Sequence, residues 1–245
     1  MTVHARRQGL ITAMTLLPIL AAPPAEAAEA GQIFTFLQAE QLERRSRDGA
    51  DSLNWDIQGW IGTDDHRAWL KSEGETTDRG RLAEAEIQLL YSRRLDAFYD
   101  LQAGLRYDPE PAGDDGAPAR SFAVLGIQGL APQWFEVGAS AFVSHDGEVS
   151  ARLNAGYDLS VTRRLVLQPT AELNVALQDV PERGVGSGVN DLELALRLRY
   201  DLTRKIGPYI GVNWRRMMGQ TARLAREDGE DDDDLAVVTG IRLWF

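Results

Sequence analysis

Beyond its first thirty residues the chain keeps returning to a period of two, and this narrows its choice of fold more than any other feature. In Leu192, Leu194, Leu196, Leu198 and Tyr200 every second residue is apolar, while Asp191, Glu193, Arg197 and Arg199 stand between them. A helix would smear both sets around its circumference, whereas a strand sorts them onto opposite faces. The pattern recurs in Leu165, Leu167, Pro169, Ala171, Leu173 and Val175 against Gln168, Thr170, Glu172 and Asn174. It recurs again in Val149, Ala151, Leu153, Ala155 and Tyr157 against Glu148, Ser150, Arg152 and Asn154.

Counting such segments predicts about twelve strands, at 34–45, 51–62, 66–75, 81–92, 97–107, 120–130, 133–144, 147–157, 163–176, 189–200, 207–217 and 235–245. Their connections fall into two alternating classes. Short ones cover 63–65, 93–96, 131–132, 158–162 and 201–206, and the interleaved set includes the long segments 108–119, 177–188 and 218–234. An even strand number with long loops on one rim and short turns on the other is the organisation of an outer-membrane barrel. The last strand puts Val237, Thr239, Ile241, Leu243 and Phe245 on one face, and a terminal aromatic after alternating apolar residues resembles the insertion signal of such barrels. The expected fold is therefore all-β: an antiparallel transmembrane β-barrel of about twelve strands, outer-membrane type. A secreted β-sandwich is the soluble rival, since sandwiches also alternate.

The first thirty residues read as an address. His4, Arg6 and Arg7 precede an apolar stretch at 10–22, and Ala25-Glu26-Ala27 and Ala28-Glu29-Ala30 both present small residues where a signal peptidase cuts. Pro18 interrupts that stretch, which is shorter than the roughly 20 residues of a spanning helix. Residues 1–30 are thus expected to be a cleaved signal peptide and 31–245 the barrel, exported to the cell outer membrane of a Gram-negative bacterium with outer-membrane lipid as its surroundings.

Closing the barrel turns the charged alternates inward. The expected luminal set is Asn54, Asp56, Gln58, Lys71, Glu73, Glu84, Glu86, Asp100, Gln102, Arg106, Glu136, Glu148, Arg152, Glu172, Asn174, Glu193, Arg197, Arg199, Arg215 and Arg242. In a ring of about twelve strands opposite charges can pair across the lumen, which favours a restricted pore over a wide one. Trp55, Tyr91, Tyr99, Tyr107, Phe135, Tyr157, Tyr200 and Trp214 are the expected outward girdle residues.

Composition excludes several functions. The net charge of −11 argues against a nucleic-acid partner, because binding by counterion release needs clustered lysine and arginine. The absence of cysteine removes disulfides, thiolate metal sites and a cysteine nucleophile. Outside the first thirty residues only His66 and His145 could serve as a histidine base, both beside turns, and no Gly-x-Ser-x-Gly occurs. No enzymatic activity is expected. The cluster Gly184-Val185-Gly186-Ser187-Gly188 precedes a strand rather than a helix, so it reads as a flexible loop and not a phosphate loop. The acidic run 227–234 reads as a solvated loop.

Several blocks exceed generic barrel patterning. They are DSLNWD at 51–56, GWIG at 59–62, WLKSEGE at 69–75, LGIQGLAP at 125–132, WFEV at 134–137, DVPERGVGSG at 179–188, DLEL at 191–194 and PYIGVNW at 208–214. With these the chain resembles the copper resistance protein B family over nearly all of 40–245. The resemblance implies an outer-membrane protein of a copper resistance system that binds or passes copper ions beside a periplasmic multicopper oxidase. Many members carry a methionine- and histidine-rich segment before the barrel, whereas here 31–36 leads almost directly into the first strand. A permeability barrel without metal specificity is the alternative function and an outer-membrane hydrolase the third.

Copper ligands must then come from the barrel itself. Thioether sulfur suits Cu(I) and imidazole suits Cu(II). Met217 and Met218 end a strand beside the acidic loop, and period two turns Met217 inward with Tyr209, Asn213 and Arg215. The candidate metal residues are Met217, His145, Asp231, Asp232, Asp233 and Asp234, with Met218 facing lipid.

Overall fold

The computed structural model describes residues 32–245 apart from 48–49, 78–79 and 111–117. The expected signal peptide lies outside the described residues. The strands follow in order: β1 (Phe34–Arg47), β2 (Ala50–Gly62), β3 (His66–Thr76), β4 (Leu82–Arg94), β5 (Tyr99–Asp108), β6 (Arg120–Ala131) and β7 (Phe135–Ser144). Then come β8 (Val149–Gly156), β9 (Leu159–Ser160), β10 (Leu165–Ala176), β11 (Gly188–Tyr200) and β12 (Ile206–Met217), and finally helix α1 (Gly219–Glu227) and β13 (Asp233–Trp244). Segments β8 and β9 pair with the same strand, through Gly156 opposite Thr170 and Ser160 opposite Val166, so they are one barrel strand broken at Tyr157 and Asp158.

Each strand pairs antiparallel with its neighbours, and β13 returns to β1 with Gln38 opposite Trp244. The result is a closed antiparallel barrel of twelve strands without a free edge, one of the two architectures that satisfy all backbone polar groups in a bilayer. Leu37, Leu53, Leu70, Leu89, Leu105, Leu125, Ile210 and Val237 stand exposed on successive strands around the outside. In water that belt would be an apolar patch far beyond what a soluble protein tolerates, and against acyl chains it is the matching surface.

Aromatic residues border the belt. Tyr91, Phe135 and Tyr200 are exposed at the short-turn rim, where the Phe135 and Tyr157 rings lie 4.9 Å apart. Toward the long-loop rim, Trp55 Nε1 donates to Ser72 Oγ at 3.1 Å and Trp214 Nε1 to Asp233 Oδ1 at 2.5 Å. Both chain ends of the barrel lie on the short-turn rim, which is the periplasmic side of such barrels.

Two features depart from the sequence expectation. The segment at 218–234 is not simply a loop: α1 occupies its first half and buries Thr221, Ala222 and Ala225, an i, i+1, i+4 stripe. The acidic run is correspondingly shorter as free chain, since Glu227 ends the helix and Asp233 and Asp234 open β13 opposite Arg216 and Arg215. The second feature is a bulge in β1, where Ala39 faces Ile57 and Gln41 faces Asp56, leaving Glu40 as the extra residue. An extra residue reverses the inward parity of the rest of the strand. Gln38 is buried before it, and Glu43 and Arg45 after it.

Candidate functional site

The polar lumen is the site that the fold builds, and its centre is a row of like charges. Register sets Asp56 of β2 directly opposite Glu73 of β3, and Glu73 opposite Glu86 of β4. Carboxylates in such positions repel. Relief comes across the lumen from β8: Arg152 Nη1 lies 3.2 Å from Glu73 Oε2 and 3.1 Å from Glu86 Oε1, and its Nη2 lies 2.9 Å from Glu86 Oε2. Its Nε lies 3.3 Å from Glu172 Oε1 on the adjacent β10. One guanidinium therefore ties opposite walls together, using the fork that suits arginine to this task.

Arg106 supports the same row, with Nη1 2.6 Å from Glu86 Oε2 and its other nitrogens on Asp108 at 2.7 and 2.9 Å. Its guanidinium lies 5.1 Å from the Phe122 ring and 4.9 Å from that of Phe142, two apolar residues of the lumen wall. Lys71 turns away, donating to Gln102 at 3.3 Å and Gln128 at 3.0 Å. Asp56 is left with no hydrogen-bond or ion-pair partner for its carboxylate among the described residues.

A second network fills the side where β1 meets β11 to β13. Glu43 is 0 % exposed and accepts from Arg45 Nε at 2.9 Å, Arg197 Nε at 3.0 Å and the Tyr209 hydroxyl at 3.0 Å. Arg45 passes on to Glu193 at 3.1 Å, to which Asn213 also donates at 2.6 Å. Gly240 lets Tyr209 lie across β13, because a Cβ there would come within 2.6 Å of the phenol ring. At the periplasmic end Phe36, Trp60, Trp69 and Trp244 form an aromatic group, with Trp60 6.1 Å from both Phe36 and Trp69 and Phe36 6.2 Å from Trp244.

At the long-loop rim the glycine segment is hydrogen-bonded to Asn190 and to α1. Asn190 Nδ2 donates to Gly186 O at 2.5 Å and Thr221 Oγ1 at 2.9 Å, and the Gly186 N–H donates to the same hydroxyl at 3.0 Å. Gly186 is required there, since a Cβ would fall 2.2 Å from Gln220 Cβ on α1. Arg183 reaches from this loop to the Pro118 carbonyl at 2.5 Å, joining it to the loop between β5 and β6. Asp179 accepts the Ser187 N–H at 2.7 Å, and that bond holds its carboxyl below the usual carboxylate range.

Of the luminal charges expected from sequence, Asp100 pairs with Arg67 at 2.7 Å, and Arg152, Glu86, Arg197, Arg199 and Arg242 are all in ion pairs. Plain alternation does not turn Glu43 and Arg45 inward; the bulge at Glu40 does. The aromatic group has a signal in the sequence: Trp60, Trp69 and Trp244 each share parity with a charged or amide residue two positions away, Gln58, Lys71 and Arg242.

The candidate metal residues are dispersed. Met217 ends β12 on the face of Asn213 and Arg215, half-buried, and its N–H donates to Asp232 O at 2.8 Å. Met218 precedes α1, its N–H on Asn190 O at 2.7 Å. Asp232 lies 3.4 Å from Arg226, Asp233 accepts from Trp214, and Asp234 is 2.7 Å from Arg47 Nε. Asp231 is exposed. His145 is exposed on the turn after β7, 3.3 Å from Asp146, with the β10–β11 hairpin between it and Met217. Among the described residues no three histidine or acidic side chains are grouped so as to hold a metal ion.

With this geometry in hand, known proteins place the chain. Among solved structures it is similar to the NanC porin, with a TM-score of 0.54 at 14% identity over 86% of this chain and 99% of the other. It is also similar to the KdgM porin, at 0.52 and 10% over the same shares. At these identities the likeness concerns the fold, which is that of outer-membrane porins. The "Copper resistance protein B homolog" of Pseudomonas syringae pv. tomato is 44% identical over 213 residues, 87% of this chain and 70% of the relative. "Copper resistance protein B" of Escherichia coli is 43% identical over 206 residues, 84% of this chain and 68% of the relative. The family model described as "Copper resistance protein B precursor (CopB)" matches residues 33–245, and the chain belongs to that family as an outer-membrane barrel.

Proposed function

We propose that the barrel handles copper ions as cargo in a copper resistance system, through its luminal carboxylates and without catalysing a reaction. The observation that carries this reading is the row of Asp56, Glu73 and Glu86, held in check by Arg152 and leaving Asp56 unpaired among the described residues. Oxygen ligands bind Cu(II), and a carboxylate with no cation in ion-pair contact is the most open to an entering one. An incoming cation then competes with the Arg152 guanidinium for Glu73 and Glu86. This is a transient contact, in keeping with the dispersed ligands, and not a resident metal centre.

Residues 1–30 would direct export and be removed, and a periplasmic multicopper oxidase of the same system would act beside the barrel. The second reading, a permeability barrel without metal specificity, draws on the engagement of Asp232, Asp233 and Asp234 by Arg226, Trp214 and Arg47. Complementation of a deletion strain separates the two. The parent gene should restore growth in copper and normal cell-associated copper. A D56N/E73Q variant assembled to the same level should not, and equal rescue by both would reject the carboxylate row.

A further inference from the structure

The short-turn rim carries a basic cavity that the luminal networks do not use. The turn before β10 holds Arg163 and Arg164, and the turn before β12 holds Arg204 and Lys205. Backbone bonds set these turns side by side: the Asp201 N–H donates to Arg164 O at 2.7 Å, and the Trp244 N–H to Lys205 O at 2.9 Å. Between them opens a cavity of about 330 Å³, walled on the inside by Arg199 and Arg242.

The nearby carboxylates are committed to that inner wall. Arg199 is paired with Asp158 and Asp201, both at 2.9 Å, and Arg242 with Glu40 at 3.0 Å and Asp158 at 3.4 Å. Arg163, Arg164, Arg204 and Lys205 have no carboxylate partner among the described residues. Lys205 instead lies over the Phe245 ring at 5.4 Å. Even the inner wall keeps unmet donors: Arg199 is only 6 % exposed, yet its Nη1 has no acceptor, and neither has Arg242 Nε. Buried donors without acceptors are unfavourable unless something supplies an oxygen.

We propose that this cavity binds a phosphate-bearing anion at the periplasmic mouth of the barrel. Guanidinium forks match phosphate oxygens in pairs, and converging cations with spare N–H groups favour a multiply charged oxyanion over chloride. The phosphate can come from a soluble anion or from the headgroup of a phospholipid in the surrounding leaflet, beside the exposed Leu202 and Ile206.

The test uses the full barrel refolded in detergent, with pyrophosphate titrated by calorimetry. In parallel the barrel is reconstituted with phosphatidylglycerol and the retained lipid read by native mass spectrometry. The variant R164Q/R204Q/K205Q alters only turn residues; R94Q, at the end of β4 where Arg94 faces Asp64 and Asp65, is the control. Pyrophosphate affinity should fall at least about tenfold in the triple variant, stay unchanged in R94Q, and weaken with added salt. Phosphatidylglycerol retained by the parent and lost by the triple variant, without pyrophosphate binding, would assign the site to a headgroup. If the triple variant fails to fold, R164Q alone should show a smaller loss of the same sign. Binding of neither probe, or binding unchanged in the folded variants, would overturn the proposal, and neither result bears on copper.

Discussion

Nη2 of Arg152 on β8 lies 2.9 Å from Oε2 of Glu86 on β4, so a single side chain spans the lumen between walls that share no backbone hydrogen bond. Breaking a sheltered ion pair by removing one partner costs on the order of 3 kcal/mol, because the other charges stay behind uncompensated. Arg152→Ala should lower the unfolding midpoint in detergent. It should also raise cation conductance and shift the reversal potential toward cation selectivity in planar bilayers. A variant that conducts and selects as the parent does would show that Arg152 does not restrict the pore.

The Glu43 network makes a different kind of prediction. Glu43→Gln should destabilise the barrel by about 3 kcal/mol, since Arg45 and Arg197 lose the carboxylate charge they share. Combining it with Arg197→Met should cost clearly less than the two single losses added together, because the residues act as one unit. Additive losses in denaturant unfolding would mean that the contact carries little energy.

Closure rests partly on the last residue. The Phe245 N–H donates to Leu37 O at 2.8 Å and the Leu37 N–H to Phe245 O at 3.0 Å, at the seam where β13 meets β1. Deleting Phe245 should reduce the heat-modifiable fraction recovered in outer membranes. Full recovery would place the closing energy elsewhere along the seam.

At the outer mouth, Asp179 accepts the Ser187 N–H and is held below the ordinary carboxylate range by that bond. A depressed carboxyl stabilises its loop above its ordinary value and loses that effect as pH falls through the depressed one. The Ser187 amide signal should therefore titrate below the usual range in the parent and not at all in Asp179→Ala. A midpoint at the usual value would show that the bond does not form in solution.

Much of this was legible in the sequence because period two is a local property. Leu192 to Tyr200 against Asp191 to Arg199 reveal their faces without knowledge of any partner strand, and the twelve strands lie within a few residues of their expected spans. The bulge at Glu40 was not legible, because it depends on how β1 pairs with β2, and with it went Glu43 and Arg45. Helix α1 was hidden for a related reason: only nine residues long, it is held by burial of Thr221, Ala222 and Ala225 against neighbouring chain. The pairing of Asp234 with Arg47 joins residues far apart in sequence, so an acidic run that reads as free solvent-facing charge is partly engaged.

Met217 and Met218 still offer a discriminating pair. Met217 shares the luminal face of Arg215, while Met218 leads into α1. Met217→Leu keeps most of the volume and removes the sulfur, so Cu(I) affinity measured by chelator competition should fall while Met218→Leu has little effect. Equal effects, or none, would exclude the thioether and leave the carboxylates.

The most direct test is a Cu(II) titration of the refolded parent barrel beside D56N/E73Q, with folding verified by heat modifiability. The carboxylate row predicts weak, saturable binding by the parent that is lost in the variant. Equal binding by both proteins, or no binding by the parent, would contradict it.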